Sequence, residues 1–260
     1  MVVKHIKLHL EYIKIALSTA MEYRFNFFSQ VFGMVLNDAV WAVFWLLFFS
    51  KFKTVGGWDV FDMLMLYSII TISFGISGFL FGNRNTFASM IAEGKLDFYM
   101  VLPKNVFYHL LVSRNSFMAF GDIIFGLIIS FFVLSLDKIP LFILLCILST
   151  IIFTTYATIM NSLAFWFGNT QESSRHLVMG TLSLSSYPFP IFKGFSKFLL
   201  LTVLPAGFMS GIPVEILKEF NLVWFLSTLG FSVLILLLAI FVFYKGLKRY
   251  ESGNNLNVRM

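Results

Sequence analysis

The sequence has little charge and almost no cysteine for a chain of its length. Asp, Glu, Lys and Arg make up 12% of its 260 residues, against roughly 25% in an ordinary soluble domain. Its single cysteine, Cys146, excludes an internal disulfide and a thiolate metal site. So few charges could not keep a globular surface of this size in water. The composition therefore excludes a soluble enzyme, a disordered tail and a free nucleic-acid-binding protein.

Sequence motifs for nucleotide hydrolysis and for hydrolytic chemistry are also missing. The chain has no GxxxxGK[ST] loop, no HExxH motif and no GxSxG elbow. His5 and His9 stand four residues apart but are followed by no third metal ligand. An intramembrane enzyme would need catalytic groups that converge at one depth, and the scattered histidines do not supply them. We expect a chain that is not an enzyme, carries no metal or cofactor of its own and binds no nucleic acid.

What the sequence does contain is apolar surface. Hydrophobic residues make up 58% of the chain, Phe occurs 34 times and mean hydropathy is +0.86. These values predict an all-α polytopic membrane protein with one domain over residues 1–260. Residues 1–24 have apolar positions three and four apart with lysines on other faces, which predicts an amphipathic helix at the membrane surface. The six predicted spans lie near residues 27–49, 63–82, 117–136, 141–167, 177–192 and 222–244.

The region before the last span is apolar but interrupted by prolines. Pro188 and Pro190 lie in the fifth predicted span, Pro205 breaks the following apolar piece, and Pro213 ends it. We predict that residues 193–215 form an extracellular re-entrant helical pair, with its backbone buried in protein. If the two pieces were instead true spans, the chain would cross the membrane eight times. Both counts put the termini on one side.

The distribution of basic residues predicts that this side is cytoplasmic. With both termini inside, most of the 19 Lys and Arg residues, Arg259 among them, fall on the cytoplasmic side. Arg84 and Arg114 flank the long polar stretch, residues 83–116, between the second and third spans, and we interpret them as topological anchors. The predicted location is the cytoplasmic membrane.

One acidic residue lies at the centre of a predicted span. Asp38, beside Asn37, occupies the middle of the first span, where a carboxylate costs about 2.5–3.5 kcal/mol on insertion scales. It either lines a transport path or makes a hydrogen bond to another span or to a partner subunit. Asp122 lies near the end of the third span, where it could reach the interface. A single central acid weakens the case for a proton-driven carrier.

The segment from Met90 to Pro103 is too apolar for a plain solvated loop. A short amphipathic helix is expected to end at Gly94, and a mixed segment follows it as far as Pro103. Apolar side chains such as Leu96 and Phe98 favour burial, although the loop is predicted to project into the cytoplasm. Two interpretations remain open, packing on the membrane surface and docking into a partner protein.

Two patterns in this sequence resemble a known family. The loop reads I-x-x-G-x-L-D-x-x-x-x-x-P, with Ile91, Gly94, Leu96, Asp97 and Pro103 at the named positions. Later, Tyr187-Pro188, Leu204-Pro205 and Pro213 follow in order. Together with the interfacial helix and the six spans, these patterns resemble the bacterial six-span permease subunits of ABC-2 family, or type-2 ABC, exporters. The resemblance covers nearly the whole chain.

The resemblance implies a mechanism and partners. A second permease chain, identical or homologous, would form the translocation path with this one, and separate ATPase subunits would bind ATP and Mg²⁺. Residues 83–116 would be the coupling region that receives the movement of the ATPases. At its surface, Glu93, Lys95 and Asp97 would be rim contacts, and Leu96 and Phe98 the buried anchors. The four prolines named above would belong to the re-entrant gate.

A stand-alone secondary transporter or channel is the main alternative. It would predict inverted repeats and coupled buried charges, and the sequence shows no clear repeat and only one central acid. The sequence leaves the substrate open among drugs, lipids, peptides and glycan precursors.

Overall fold

The computed structural model describes residues 2–251 and the side chains of residues 5–251, and the regular elements of this part are helices. The predicted domain 1–260 extends beyond it at both ends, and Arg259 lies outside the described residues. Extended pairing in the described part is confined to an isolated bridge between Val55 and Trp58. The α-helices are α1 (Val2–Glu22), α2 (Arg24–Lys51), α3 (Val60–Leu80), α4 (Phe87–Ala92), α5 (Asp97–Met100), α6 (Val106–Val112), α7 (Ala119–Val133), α8 (Ile139–Ser162), α9 (Ala164–Phe167), α10 (Gln171–Ser185), α11 (Gly194–Leu201), α12 (Ile212–Lys218) and α13 (Leu222–Leu247).

Several of these helices can cross a membrane. Four in the described part are long and apolar enough, namely Arg24–Lys51, Val60–Leu80, Leu136–Phe167 and Leu222–Leu247. α7 is apolar but has 15 residues, which gives about 22 Å of helix. The predicted class, an all-helical membrane protein, is confirmed. Helix length and composition do not establish the count of six spans, which stays a prediction.

The centre of the molecule is formed by α3 and α8. In their most apolar 18-residue stretches, 72% and 61% of residues are buried, against 17% in α2 and 22% in α13. Small polar residues line the contact of α3 with α8, where the Ser73 hydroxyl donates to the Cys146 carbonyl at 3.2 Å. Such side chains allow close approach of helices in a membrane. α2 and α13 instead expose long apolar faces, which fit lipid or another membrane protein.

Predicted and observed helix bounds agree best for the longest apolar runs. The first two spans, 27–49 and 63–82, correspond to α2 and α3. The fifth, 177–192, differs most, because α10 begins six residues earlier, at Gln171, and ends at Ser185. The hydropathy-based prediction therefore misplaced both ends of this helix. The polar residues at its start form the first turns of the helix, and proline at 188 disfavours helical backbone at the residue before it.

Residues 193–215 form short helices instead of a span. α11 has eight residues, about 12 Å of helix. A turn at Thr202–Pro205 leads into a π-helix, Gly207–Gly211, which continues into α12. Pro213 is the second residue of α12. Because proline cannot donate a backbone hydrogen bond to the preceding turn, it interrupts the regular pattern of this continuous helix where the π-helical turn lies. The predicted pair of helical pieces is therefore present in outline, while its extracellular, re-entrant placement stays a prediction.

The helices define two ends of the molecule. At the coupling end, which carries residues 83–116, the Phe87 ring stacks on Phe243 near the end of α13, with ring centroids 5.4 Å apart. At the opposite end, the Trp58 indole N–H donates to Glu215 at 2.6 Å, and Lys218 pairs with Asp62 at 2.7 Å. Because α1 packs on α6, α1 and the end of α13 lie at the same end.

Candidate functional site

The coupling segment, residues 83–116, folds back on the chain's own helices. α4 buries Phe87, Ala88 and Ile91 against the ends of α8 and α13. The helix is terminated at Gly94, whose φ of +72° lies in the left-handed region that favours glycine. The N–H of Gly94 donates to the Ile91 carbonyl at 3.2 Å, and that of Lys95 to the Met90 carbonyl at 2.9 Å. This pair of bonds is a Schellman motif, and it reverses the chain into α5.

The predicted anchor Leu96 lies inside the molecule. Its side chain is 0% exposed, in a hydrophobic cluster with Phe87 and Phe165, and its N–H donates to the Tyr250 hydroxyl at 3.2 Å. The expectation that Leu96 is an anchor for a partner protein is therefore corrected. A side chain already packed in the chain's own core cannot also insert into another protein.

The apolar surface that does project from this segment is a ridge made of Phe98, Met100 and Val101. Phe98 is 61% exposed and Val101 is 80% exposed. Glu93 and Lys95, predicted as rim contacts, form an exposed ion pair beside it, and Pro103 follows the ridge, also exposed. Asp97 is half-buried and interacts with the Tyr250 hydroxyl. Of the predicted anchors, Phe98 alone remains available to a partner.

Hydrogen bonds of histidine and tyrosine side chains hold helix α1 against the coupling end of the molecule. His9 Nε2 donates to the Leu80 carbonyl at 3.0 Å, and the Tyr12 hydroxyl lies 2.7 Å from His109 Nε2. Burial lowers the pKa of His9, although its bond to the carbonyl acts in the opposite direction. Burial, and then the Lys104 charge, lower the pKa of His109. Both rings are therefore held in the neutral form.

These histidines make the docking of α1 depend on pH. Undocking of α1 removes part of the burial of both rings, so the pKa of each should rise toward the ordinary value of 6.5, while the Lys104 charge continues to act on His109. The undocked state should therefore bind more protons below that pH. Docking should accordingly be strongest above pH 6.5 and weaken as the pH falls below it. Amide hydrogen exchange in α1, corrected for the intrinsic effect of pH, should show growing exposure. A His9→Asn/His109→Gln variant should lose this dependence, and an unchanged dependence would contradict the assignment.

A second feature is a cavity of about 370 Å³ within the membrane-spanning part, between α2, α3, α7 and α10. Asp38 of α2 and Asp122 of α7 both line it, and their carboxyl groups interact directly. Asp38 is 5% exposed, and its carboxyl group also interacts with the Asn37 side chain. Asn37 also lines the cavity but is itself exposed. The aromatic residues of the wall are Trp41, Trp45, Tyr67, Phe74 and Tyr187.

Two expectations about charged residues are corrected here. Asp122, expected to reach the interface, is buried beside Asp38. Arg84, expected to be a topological anchor, is 0% exposed. Its guanidinium lies over the Phe74 and Phe153 rings, 5.4 and 5.0 Å from their centroids, and acts electrostatically on Asp122.

The sequence gives no signal for the burial of Arg84. An added Cβ at Gly78, six residues before it, would meet the guanidinium at an ordinary contact distance of 3.8 Å and would instead crowd the Ala119 Cβ of α7 at 3.1 Å. Gly78 therefore fits the close approach of α7 to α3. Hydropathy assigns the arginine charge to the nearest polar loop.

The residues of the predicted gate surround one aromatic side chain. Pro188 and Pro190 flank Phe189, which is buried. Its ring packs on Gly207 and Gly211, where an added Cβ would collide with it. Pro205 precedes the π-helix Gly207–Gly211, and Pro213 is the second residue of α12, which follows it. The four prolines thus border one compact structure around Phe189, and its role as a gate stays a prediction.

The chain matches a family of known proteins. The family described as ABC-2 family transporter protein matches residues 35–254 of the chain. No curated protein and no solved structure is significantly similar to it. The matched range includes the coupling segment, the cavity and the gate residues, and begins within α2.

Proposed function

The chain belongs to the ABC-2 family of transporter proteins, and on this basis we propose that it is the permease subunit of an ATP-binding cassette exporter. In this proposal the chain crosses the bacterial cytoplasmic membrane six times, with both termini in the cytoplasm. It forms half of the translocation path, and a second permease chain forms the other half. A separate ATPase subunit binds ATP and Mg²⁺ and supplies the energy.

The observation that supports ATPase coupling is the exposed ridge of Phe98, Met100 and Val101. Apolar side chains at the surface of a polar connection favour a protein partner when charged groups border them, and Glu93 and Lys95 do so here. The ridge rests on the cluster around Leu96, which also contains Phe243 of α13. A force on the ridge would therefore reach the membrane-spanning helices through packed side chains.

Replacing Phe98 with aspartate is expected to remove ATPase association while the permease stays folded. A buried aromatic anchor at an interface contributes about 2 kcal/mol or more, so its loss should weaken binding by more than about tenfold. The measurement is purification of the tagged chain from its host in mild detergent. Mass spectrometry then gives the yield of the partner that carries a GxxxxGK[ST] loop.

The matched control is Phe220→Asp. Phe220 is also exposed, at 58%, and it precedes α13, whose 26 residues separate it from the coupling end by about 39 Å. This control should keep the ATPase. Equal recovery of the ATPase with Phe98→Asp and the unchanged chain would count against the ridge as the docking surface.

The contact of Asp38 with Asp122 favours one alternative, a secondary transporter driven by protons, because coupled buried charges are what such a carrier needs. Transport assays in inside-out vesicles separate the two functions. The exporter requires ATP and the ATPase subunit, whereas transport on an imposed pH gradient without ATP would favour the carrier.

A further inference from the structure

We propose that Asp38 and Asp122 bind a single proton between them and that the Arg84 guanidinium balances the negative charge that remains. The three side chains form a neutral triad inside the membrane-spanning part of the chain. The inference goes beyond the proposed function, because it concerns the charge state of the permease itself and does not depend on the ATPase. It rests on the contact between the two carboxyl groups, on the burial of all three side chains and on the surroundings of Arg84.

The contact between Asp38 and Asp122 sets the number of protons in the pair. Their side chains hydrogen-bond to each other. Ionised carboxylates are acceptors only, so this hydrogen bond requires that one of the two groups carries a proton. Both residues are buried, at 5% and 3% exposure, where two negative charges in contact would repel each other strongly. The pair therefore holds one proton and carries one negative charge.

Arg84 brings the opposite charge to the same place. It is 0% exposed, and none of its guanidinium nitrogens has a hydrogen-bond partner in the described part of the chain. Arginine keeps its proton in proteins, so one positive charge is buried here. The Phe74 and Phe153 rings attract it, but they carry no charge that could neutralise it. Asp122 is the acid that acts on it electrostatically.

Among the described residues, no further charged side chain lines the cavity. Its titratable residues besides the two acids are Tyr67 of α3 and Tyr187 after α10, and a phenol is uncharged while it is protonated. The other residues that α10 and its end contribute are leucine and serine. The Asn37 amide, which also interacts with Asp38, is neutral. The charges of the acid pair and the arginine therefore cancel, as the high cost of an uncompensated charge inside a membrane requires.

Arg84 also connects the triad to the coupling segment, residues 83–116. Its guanidinium folds back along α3 and lies beside Gly78, which packs on Ala119 of α7. Asp122 lies one turn beyond Ala119 on the same helix. Displacement of the coupling segment would therefore move the positive charge relative to the acids. A carboxylate that loses its counter-charge binds a proton more readily, so the position of the coupling segment and the number of bound protons are linked.

The test counts protonated carboxyl groups by infrared spectroscopy, in which a carboxylic acid and an ionised carboxylate absorb at different frequencies. The full chain is purified in dodecyl maltoside, which has no carbonyl group, at neutral pH, where ordinary aspartic acids are ionised. Difference spectra should show one carboxylic-acid band that disappears both in Asp38→Asn and in Asp122→Asn, because the acid left behind stays ionised opposite Arg84. Arg84→Met, which removes the counter-charge completely, should add a second protonated carboxyl group and double the band.

Matched controls change the same residue types outside the triad. Arg114→Met removes an exposed arginine of the coupling segment, and Asp137→Asn changes an exposed acid that does not line the cavity. Both should leave the band unchanged. Every variant is used only if it elutes as a single sharp peak, and if Arg84→Met does not fold, the two Asn variants of the acid pair decide.

Three results would overturn the proposal. Absence of the band from the unchanged chain would show that both acids are ionised. A band that only halves in each Asn variant would show that both acids are protonated, which leaves Arg84 without a counter-charge. A band that Arg84→Met leaves unchanged would show that Arg84 does not set the number of protons. None of these results bears on ATPase association, which the Phe98→Asp and Phe220→Asp variants measure separately.

Discussion

Replacing Leu96 with aspartate is expected to prevent the coupling end from folding. The side chain is 0% exposed and packs in the cluster of Phe87, Tyr99 and Phe165. A carboxylate buried there without a partner costs about 4–5 kcal/mol or more, a large part of a typical total stability of about 5–15 kcal/mol. The yield of monodisperse protein after detergent extraction should therefore fall sharply. Leu96→Ala, which only leaves a cavity, should cost about 2–5 kcal/mol and lower the melting temperature without abolishing the fold.

Comparing Leu96→Asp with Phe98→Asp shows the effect of burial alone, because the two residues lie close together in the sequence and differ in exposure. The two residues stand two apart, but Phe98 is 61% exposed, and a polar substitution at such a site changes stability by about 0.5 kcal/mol or less. Phe98→Asp should melt like the unchanged chain and lose only its partner. Normal yield and melting of Leu96→Asp would show that Leu96 is not part of a structural core.

This difference also shows where sequence reasoning stops. Hydropathy predicted the class of the protein and located its longest helices, because a span must be apolar over its whole length. The same reasoning treated Leu96 and Phe98 alike, since both are apolar residues in a polar connection. Which of them faces inward depends on the turn at Gly94, where φ is +72°, and on the cluster that α8 and α13 bring to it. Both the turn and the cluster are features of the tertiary structure, which hydropathy does not predict.

Of the charged residues in and beside the cavity, only Asp38 was predictable from the sequence. Asp38 stands out because it lies at the middle of a span, where an unexplained charge is costly. Asp122 and Arg84 lie near span ends, where a charged side chain usually reaches water, so their sequence positions gave no reason to bury them. The structure brings the three together because α7 packs closely on α2 and α3. Interhelical distance, which hydropathy does not encode, decides the electrostatics of this site.

Close approach of α7 depends on glycine, and alanine at two of its positions is expected to separate the helices. At Gly121 an added Cβ would lie 2.5 Å from the Met34 Cβ and 2.6 Å from the Val31 carbonyl oxygen, both on α2. At Gly126 it would lie 2.5 Å from the Thr71 hydroxyl of α3. The backbone at Gly126 also accepts a hydrogen bond from Ser68 at 2.8 Å, which a displaced helix would lose.

The sign of the effect follows from two opposing contributions. Alanine in place of glycine favours a helix by about 0.5–1 kcal/mol, whereas overpacking costs about 1–3 kcal/mol. Gly121→Ala and Gly126→Ala should therefore lower the melting temperature. Gly230→Ala in α13, where an added Cβ meets nothing within 4 Å, should leave it unchanged or raise it. Equal melting of all three variants would mean that α7 can move without cost.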